Sequence, residues 1–222
     1  MERALIYIPS SKIVNFVASN PIDWGDEIKI GLGNIQIVLG QMAKRGSYGD
    51  QAGVTPTPAV EEFINLLIEK RGLFTQGEYM EHCLNVWGPW FSSKHYLQRL
   101  GVIAKLYRNF YPSMIDSLHV WSMLCESGSF DMCLLSATED AIGKSDLVLR
   151  NGAKELRLAL LGPTSRASDD RSYKIAHRNN GSADCIEVKM PFNYHKSPGN
   201  KRWFKEIDIV RAILWSKQLV NA

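Results

Sequence analysis

The sequence predicts an α+β fold in two parts. Residues 1–110 read as a mixed N-terminal region that turns helical, and residues 111–222 as an α/β domain. Three observations carry this. Apolar residues recur at three- and four-residue spacing from residue 58 to residue 110. Two alternating apolar runs meet at Asn151-Gly152, the preferred pair for a type I′ hairpin turn. From Ser113 onward the runs come in the order helix, strand, strand, strand, helix, strand.

The elements follow in order. ALIYIP reads as a short strand, and DEIKIGLGNIQIVLG as a hairpin. Its GLGN glycines lack the third glycine of a dinucleotide fingerprint. Residues 44–58 are rich in Gly, Pro, Ser and Thr and read as a loop. PAVEEFINLLIEKRG starts at Pro58, spaces Val60, Phe63, Ile64 and Leu67 helically, and should end at Gly72. TQGEYMEHCLNVW opens on Thr75 with Glu78 three residues on, a capping box. SSKHYLQRLGVIAKLYRNF reads as a long basic amphipathic helix with a break near Gly101.

In the second part, PSMIDSLHVWSMLCESG reads as a helix with Met114, Leu118, Trp121 and Leu124 on one side. FDMCLLS is a strand, ATEDAIGK a loop, and SDLVLRNGAKELRLALLG the hairpin. SRASDDRSYKIAHRN reads as a helix, DCIEVKMP as a strand, and KRWFKEIDIVRAILWSKQLV as a terminal helix.

Composition bounds the function. The chain has 222 residues, 45% hydrophobic and 22% charged, enough for a proper globular core. No stretch reaches the roughly 18 apolar residues of a membrane span. MERALIYIPSSKIV lacks the basic start and cleavage site of a signal peptide, so the expected setting is a cytoplasm without membrane contact. Cys83, Cys125, Cys133 and Cys185 form no CxxC pair and read as free thiols. No HExxH, GxSxG or P-loop pattern occurs.

The net charge is +3, but it is uneven. No acidic residue lies between His82 and Ser113, where Lys94, Arg99, Lys105 and Arg108 fall. From Arg171 to Lys205 eight basic residues face only Asp184 and Glu187. Local basic segments in a near-neutral chain suit a polyanion such as DNA, although two solvated faces have the same composition. Three helices with short connections, the last one basic, resemble a helix-turn-helix module.

The element order from Ser113 resembles the αβββαβ core of the PD-(D/E)XK nuclease superfamily, over about residues 112–191. The restriction-endonuclease-like fold implies Mg²⁺-dependent phosphodiester cleavage, with an aspartate at the start of the second core strand and Glu-x-Lys near the end of the third. Asp146 fits the first position. The expected third-strand slot holds Ala159-Leu160-Leu161, which cannot ligate a metal, and Glu155-Leu156-Arg157 falls earlier and offers arginine for lysine.

Three readings compete. DCIEVKM supplies the motif, so that Asp146 and Glu187 bind Mg²⁺ and Lys189 assists the attacking water. Or the site has moved, drawing on Glu126, Lys174 or Arg178. Or the site is degenerate, and the scaffold is a non-catalytic nucleic-acid-binding or assembly subunit with protein partners. In the first reading Arg166, Arg171, Lys174 and Arg178, with Lys94, Arg99 and Lys105, contact phosphates.

Overall fold

A computed structural model of the chain describes residues 7–22, 27–30, 35–38, 59–136, 145–161 and 185–189. Its elements are α1 (Ser10–Ser19), β1 (Glu27–Ile30), β2 (Ile35–Val38), α2 (Ala59–Lys70), α3 (Gln76–Val86) and α4 (Gly88–Ser93). After them come α5 (Tyr96–Lys105), a π-helical turn (Leu106–Phe110) and α6 (Tyr111–Glu126). Four strands follow, β3 (Met132–Leu134), β4 (Leu147–Asn151), β5 (Lys154–Leu161) and β6 (Cys185–Lys189). The fold class is α+β. The chain divides into two compact units, Met1–Ile6 with Ser19–Ile115, and Tyr7–Ala18 with Asp116–Ala222.

In the first unit β1 and β2 pair antiparallel, Ile28 beside Ile37, as the alternating run predicts. The helices around them pack on aromatic rings. Phe63 meets Phe74 edge-on at 4.8 Å between centroids, and Tyr79 and Tyr111 join the same cluster. Buried phenols need acceptors. Tyr79 donates to the Ala59 carbonyl at 2.9 Å and Tyr111 to the Phe74 carbonyl at 2.7 Å.

The capping box forms. The Glu78 amide donates to Thr75 Oγ1 at 3.2 Å, and the Thr75 amide to Glu78 Oε2 at 2.7 Å. The end of α2 differs from expectation. Arg71, not Gly72, takes the left-handed conformation, at φ 50. The Gly72 amide reaches back to the Leu67 carbonyl and Arg71 to Ile68, both at 3.3 Å. That is a Schellman ending with arginine where glycine is favoured.

The basic helix also breaks elsewhere. Gly101 lies buried inside α5, and the break falls at Lys94–His95. Ser92 Oγ donates to the Gly88 carbonyl at 2.9 Å and Ser93 Oγ to Trp90 at 2.7 Å. Serines that bond back to the preceding turn compete with the helix.

The π turn has an identifiable cause. Pro112 has no amide hydrogen, and its ring clashes with the carbonyl four residues back in an α-helix. The Tyr111 amide bonds instead to Leu106, five residues back, so the turn ahead of the proline is widened. A carbonyl there loses its helical donor. Gln76 Nε2 donates to the Tyr107 carbonyl at 2.8 Å, in the buried interior.

The second unit begins differently from the expected strand. Residues 7–9 form no strand. Ile8 is buried, and its carbonyl accepts from Ser122 Oγ at 2.6 Å. The residues from Ser117 to Leu124 in α6 are buried on every side, not along one stripe.

The sheet has the order β3-β4-β5-β6. β3, β4 and β5 are antiparallel, and β6 runs parallel to β5. Leu147 pairs with Leu158 and Leu149 with Leu156, an apolar set that is wholly buried. The hairpin forms, but Asn151 is the last paired residue, opposite Lys154. Gly152 and Ala153 therefore occupy the turn. Only Gly152 has positive φ, at 60, which makes the turn type II′ rather than I′. The expected loop at 44–58 and the expected helices at 165–179 and 201–220 lie outside the described residues.

Candidate functional site

Asp146 sits just before β4, half-buried. Its amide donates to the Leu158 carbonyl at 2.8 Å. Its carboxylate accepts from the Leu160 amide at 2.6 Å. Two residues along β5 are thus bonded by one aspartate, whose Oδ2 stands where the next backbone carbonyl of a strand would be. The carboxylate closes the β4–β5 ladder.

On the opposite edge of β5 runs β6. Its register sets Glu187 beside Ala159 and Lys189 beside Leu161. Asp146 and Glu187 therefore flank the same stretch of β5, one from each side. That stretch is the Ala159–Leu161 slot that carries no ligand of its own. Neighbouring strands lie ~4.8 Å apart, so the two acidic positions are about 10 Å apart at their Cα atoms. Ala159 between them is small and buried.

The other acidic candidates are engaged. Glu155 accepts from Arg150 through Oε2 at 2.9 Å and from Arg157 through Oε1 at 3.1 Å. Desolvation pushes its carboxyl up, but the two guanidinium bonds outweigh that and leave it below the ordinary range. Glu126 sits at the N-terminus of α1. It accepts from the Tyr7 hydroxyl and the Ser10 amide, both at 2.8 Å, and from the Ser10 hydroxyl at 2.5 Å. Burial raises its carboxyl, and these bonds more than offset the rise. A carboxylate there also complements the helix dipole.

The basic candidates of the first unit are spread out. Lys94 holds its ammonium 5.3 Å above the Trp90 ring. Lys105 is exposed at the end of α5, while Arg99 is half-buried. Six residues apart, Arg99 and Lys105 lie ~120° apart around the helix, so they do not share one face. Trp87 is buried and packs on Phe91. Arg166, Arg171, Lys174 and Arg178 lie outside the described residues.

Two histidine environments arise from long-range packing that no local pattern signals. His82 Nε2 lies 3.0 Å from the buried Glu62 carboxylate, a partner 20 residues away. His119 lies within the core, and burial pushes its pKa down to about 4. Among the described residues, no three His, Cys, Asp or Glu side chains gather as a metal cage. Nor is any described helix long and apolar enough to cross a membrane. No protein-family model, curated protein or solved structure matches this chain.

Proposed function

We propose that the chain is a Mg²⁺-dependent nuclease acting on DNA, with its site where β4, β5 and β6 adjoin. The observation that carries the reading is that Asp146 and Glu187 occupy positions on either side of the slot in β5 that lacks ligands. The topology supports it. A helix precedes three antiparallel strands, and a fourth strand returns parallel to the third. Parallel neighbours require a crossover of a dozen or more residues, and 162–184 has that length. Such an αβββ-crossover-β order is the one the PD-(D/E)XK resemblance implies.

The residues fit a hard cation. Mg²⁺ prefers carboxylate oxygens, phosphates and water. A carboxylate has about four lone-pair sites, so accepting from the Leu160 amide is compatible with metal ligation at Asp146. Asp146 and Glu187 would hold the ion, which supplies Lewis-acid activation of the scissile phosphate and its water. Two residues beyond Glu187, Lys189 falls on the same side of a strand of period two and would stabilise charge developing on phosphorus. Arg166, Arg171, Lys174 and Arg178 would bind the phosphate backbone.

A second reading has its own observation. The Asp146 carboxylate already closes a ladder, a role that needs no metal. A non-catalytic nucleic-acid-binding subunit on this scaffold would keep it for that reason. Incubation with supercoiled plasmid and Mg²⁺ or Mn²⁺ separates the two. The nuclease nicks the plasmid, and Glu187→Gln and Lys189→Ala abolish nicking. Nicking that survives both substitutions removes these residues from the site. Salt-sensitive DNA retention without any nicking selects the subunit reading.

A further inference from the structure

The helical unit carries an outward aromatic patch where α3 meets α4. Helical hydrogen bonds bridge that junction. The Trp87 amide donates to the Cys83 carbonyl at 2.9 Å, and the Phe91 amide to the Trp87 carbonyl at 2.8 Å. Cys83, Trp87 and Phe91 therefore form one stripe, and all three are buried. Val86 and Trp90 each precede a member of that stripe by one position, so they emerge beside it, one turn apart. Val86 is 48% exposed, Pro89 is exposed and Trp90 is half-buried. The Trp90 ring is pinned by the buried Phe91, which it meets edge-on at 5.1 Å between centroids. Lys94 leaves α4 in an extended conformation, and its ammonium lies 5.3 Å from the centre of the Trp90 ring. From His82 through Ser113 the sequence holds no acid, so the charge along this stretch is positive.

We propose that Trp90 is a stacking platform for a base of single-stranded nucleic acid, with Lys94 as the contact to its phosphate. A pinned aromatic ring beside a cation matches a ligand that presents a flat π face and a negative charge together. Nucleotides in a single strand do so, whereas bases inside a duplex are stacked on one another and hide their faces. An exposed cation–π contact is weak, so a base displaces the lysine from the ring and the ammonium moves to the adjoining phosphate. Val86 and Pro89 extend the apolar floor next to the ring. Sequence preference is not expected, because every base has a π face. The inference does not rest on the nuclease reading. It uses none of Asp146, Glu187 or Lys189, and either can fail alone.

Photocrosslinking tests it on the whole chain, in EDTA so that no cleavage intervenes. The probe is a single-stranded oligonucleotide of 5-bromodeoxyuridine, irradiated in complex with the wild-type protein. No Lys or Arg lies between Arg71 and Lys94, so one tryptic peptide, 72–94, holds both Trp87 and Trp90. The crosslink should map to Trp90 in that peptide. Crosslinks confined to other peptides overturn the proposal, and that readout does not depend on any variant folding. Fluorescence anisotropy with labelled oligothymidylate gives the energetics. Trp90→Ala should weaken binding about 10-fold, and Trp90→Phe should largely retain it. Lys94→Gln should reduce the slope of log affinity against log salt by about 0.7. A duplex of equal length should show no dependence on Trp90. Wild-type affinity of Trp90→Ala for the single strand overturns the proposal. So does loss of self-association in Trp90→Ala with that affinity unchanged, which would make the patch a contact between copies of the chain.

Discussion

The two units satisfy stray backbone groups in different ways. In the helical unit, neutral side chains donate to orphaned carbonyls: Tyr79 to Ala59, Tyr111 to Phe74, Gln76 to Tyr107. The sheet unit has donors of this kind in Ser122 and Trp121, and it leans further on carboxylates that accept from amides, a role Glu78 plays for Thr75 in the helical unit. Glu126 takes the Ser10 amide, Asp131 the Gly152 amide at 2.6 Å, and Asp146 the Leu160 amide. Neutral donors are insensitive to acid, whereas a carboxylate stops being a pure acceptor once protonated. The sheet unit therefore keeps these anions at the ends of elements.

Acid should separate the units most strongly. His119 belongs to the sheet unit and is held neutral by burial, with its pKa lowered from 6.5 to about 4. The unfolded chain binds that proton below about pH 6.5, and the folded chain does not until about pH 4. Stability is thus full above the unfolded value and falls as pH drops through this window, by up to ~3 kcal/mol. Glu126, also lowered, adds a loss below its unfolded value near 4.5. Hydrogen exchange at pH 7 and pH 4.5, followed by mass spectrometry, should show protection lost first around α6 and β3–β5. Equal loss in α2 and α3 breaks the contrast.

Removal of one neutral donor should matter next. Gln76→Leu leaves the Tyr107 carbonyl buried at the π turn without that bond, at a cost of about 2 kcal/mol. Urea unfolding at pH 7 measures it, and the loss should be the same at pH 5. A pH-dependent loss would mean that the Gln76–Tyr107 bond is coupled to a titrating group. Smaller still is the end of α2. Arg71→Gly relieves a left-handed arginine and should stabilise by about 1 kcal/mol, read as a higher urea midpoint.

Local patterns were legible in the sequence, and long-range partners were not. Thr75-x-x-Glu78 announced its cap because both halves of the bond lie within one turn. The two alternating runs around Asn151-Gly152 announced a hairpin, but the one-residue shift that makes the turn II′ is set by pairing with Lys154. Pro112 was visible, yet the widened turn ahead of it is completed by Gln76, 31 residues earlier. Residues 10–19 were not read as a helix, since the carboxylate at its start belongs to Glu126, 116 residues away. The candidate site follows the same rule. Asp146 and Glu187 each stood out as acids at strand positions. Their common neighbour, Ala159, emerges only from the β5–β6 register.

Asp146→Asn is the most direct test of the central claim, because it separates the two roles of this carboxylate. Asparagine keeps an oxygen to accept the Leu160 amide, so the ladder and the melting temperature should be retained. It removes the charge that a Mg²⁺ site requires. Plasmid nicking with Mg²⁺ should fall by about 100-fold or more, a loss of several kcal/mol of transition-state stabilisation. Undiminished nicking by a fully folded Asp146→Asn protein would contradict the account and leave Asp146 as the closure of a strand ladder alone.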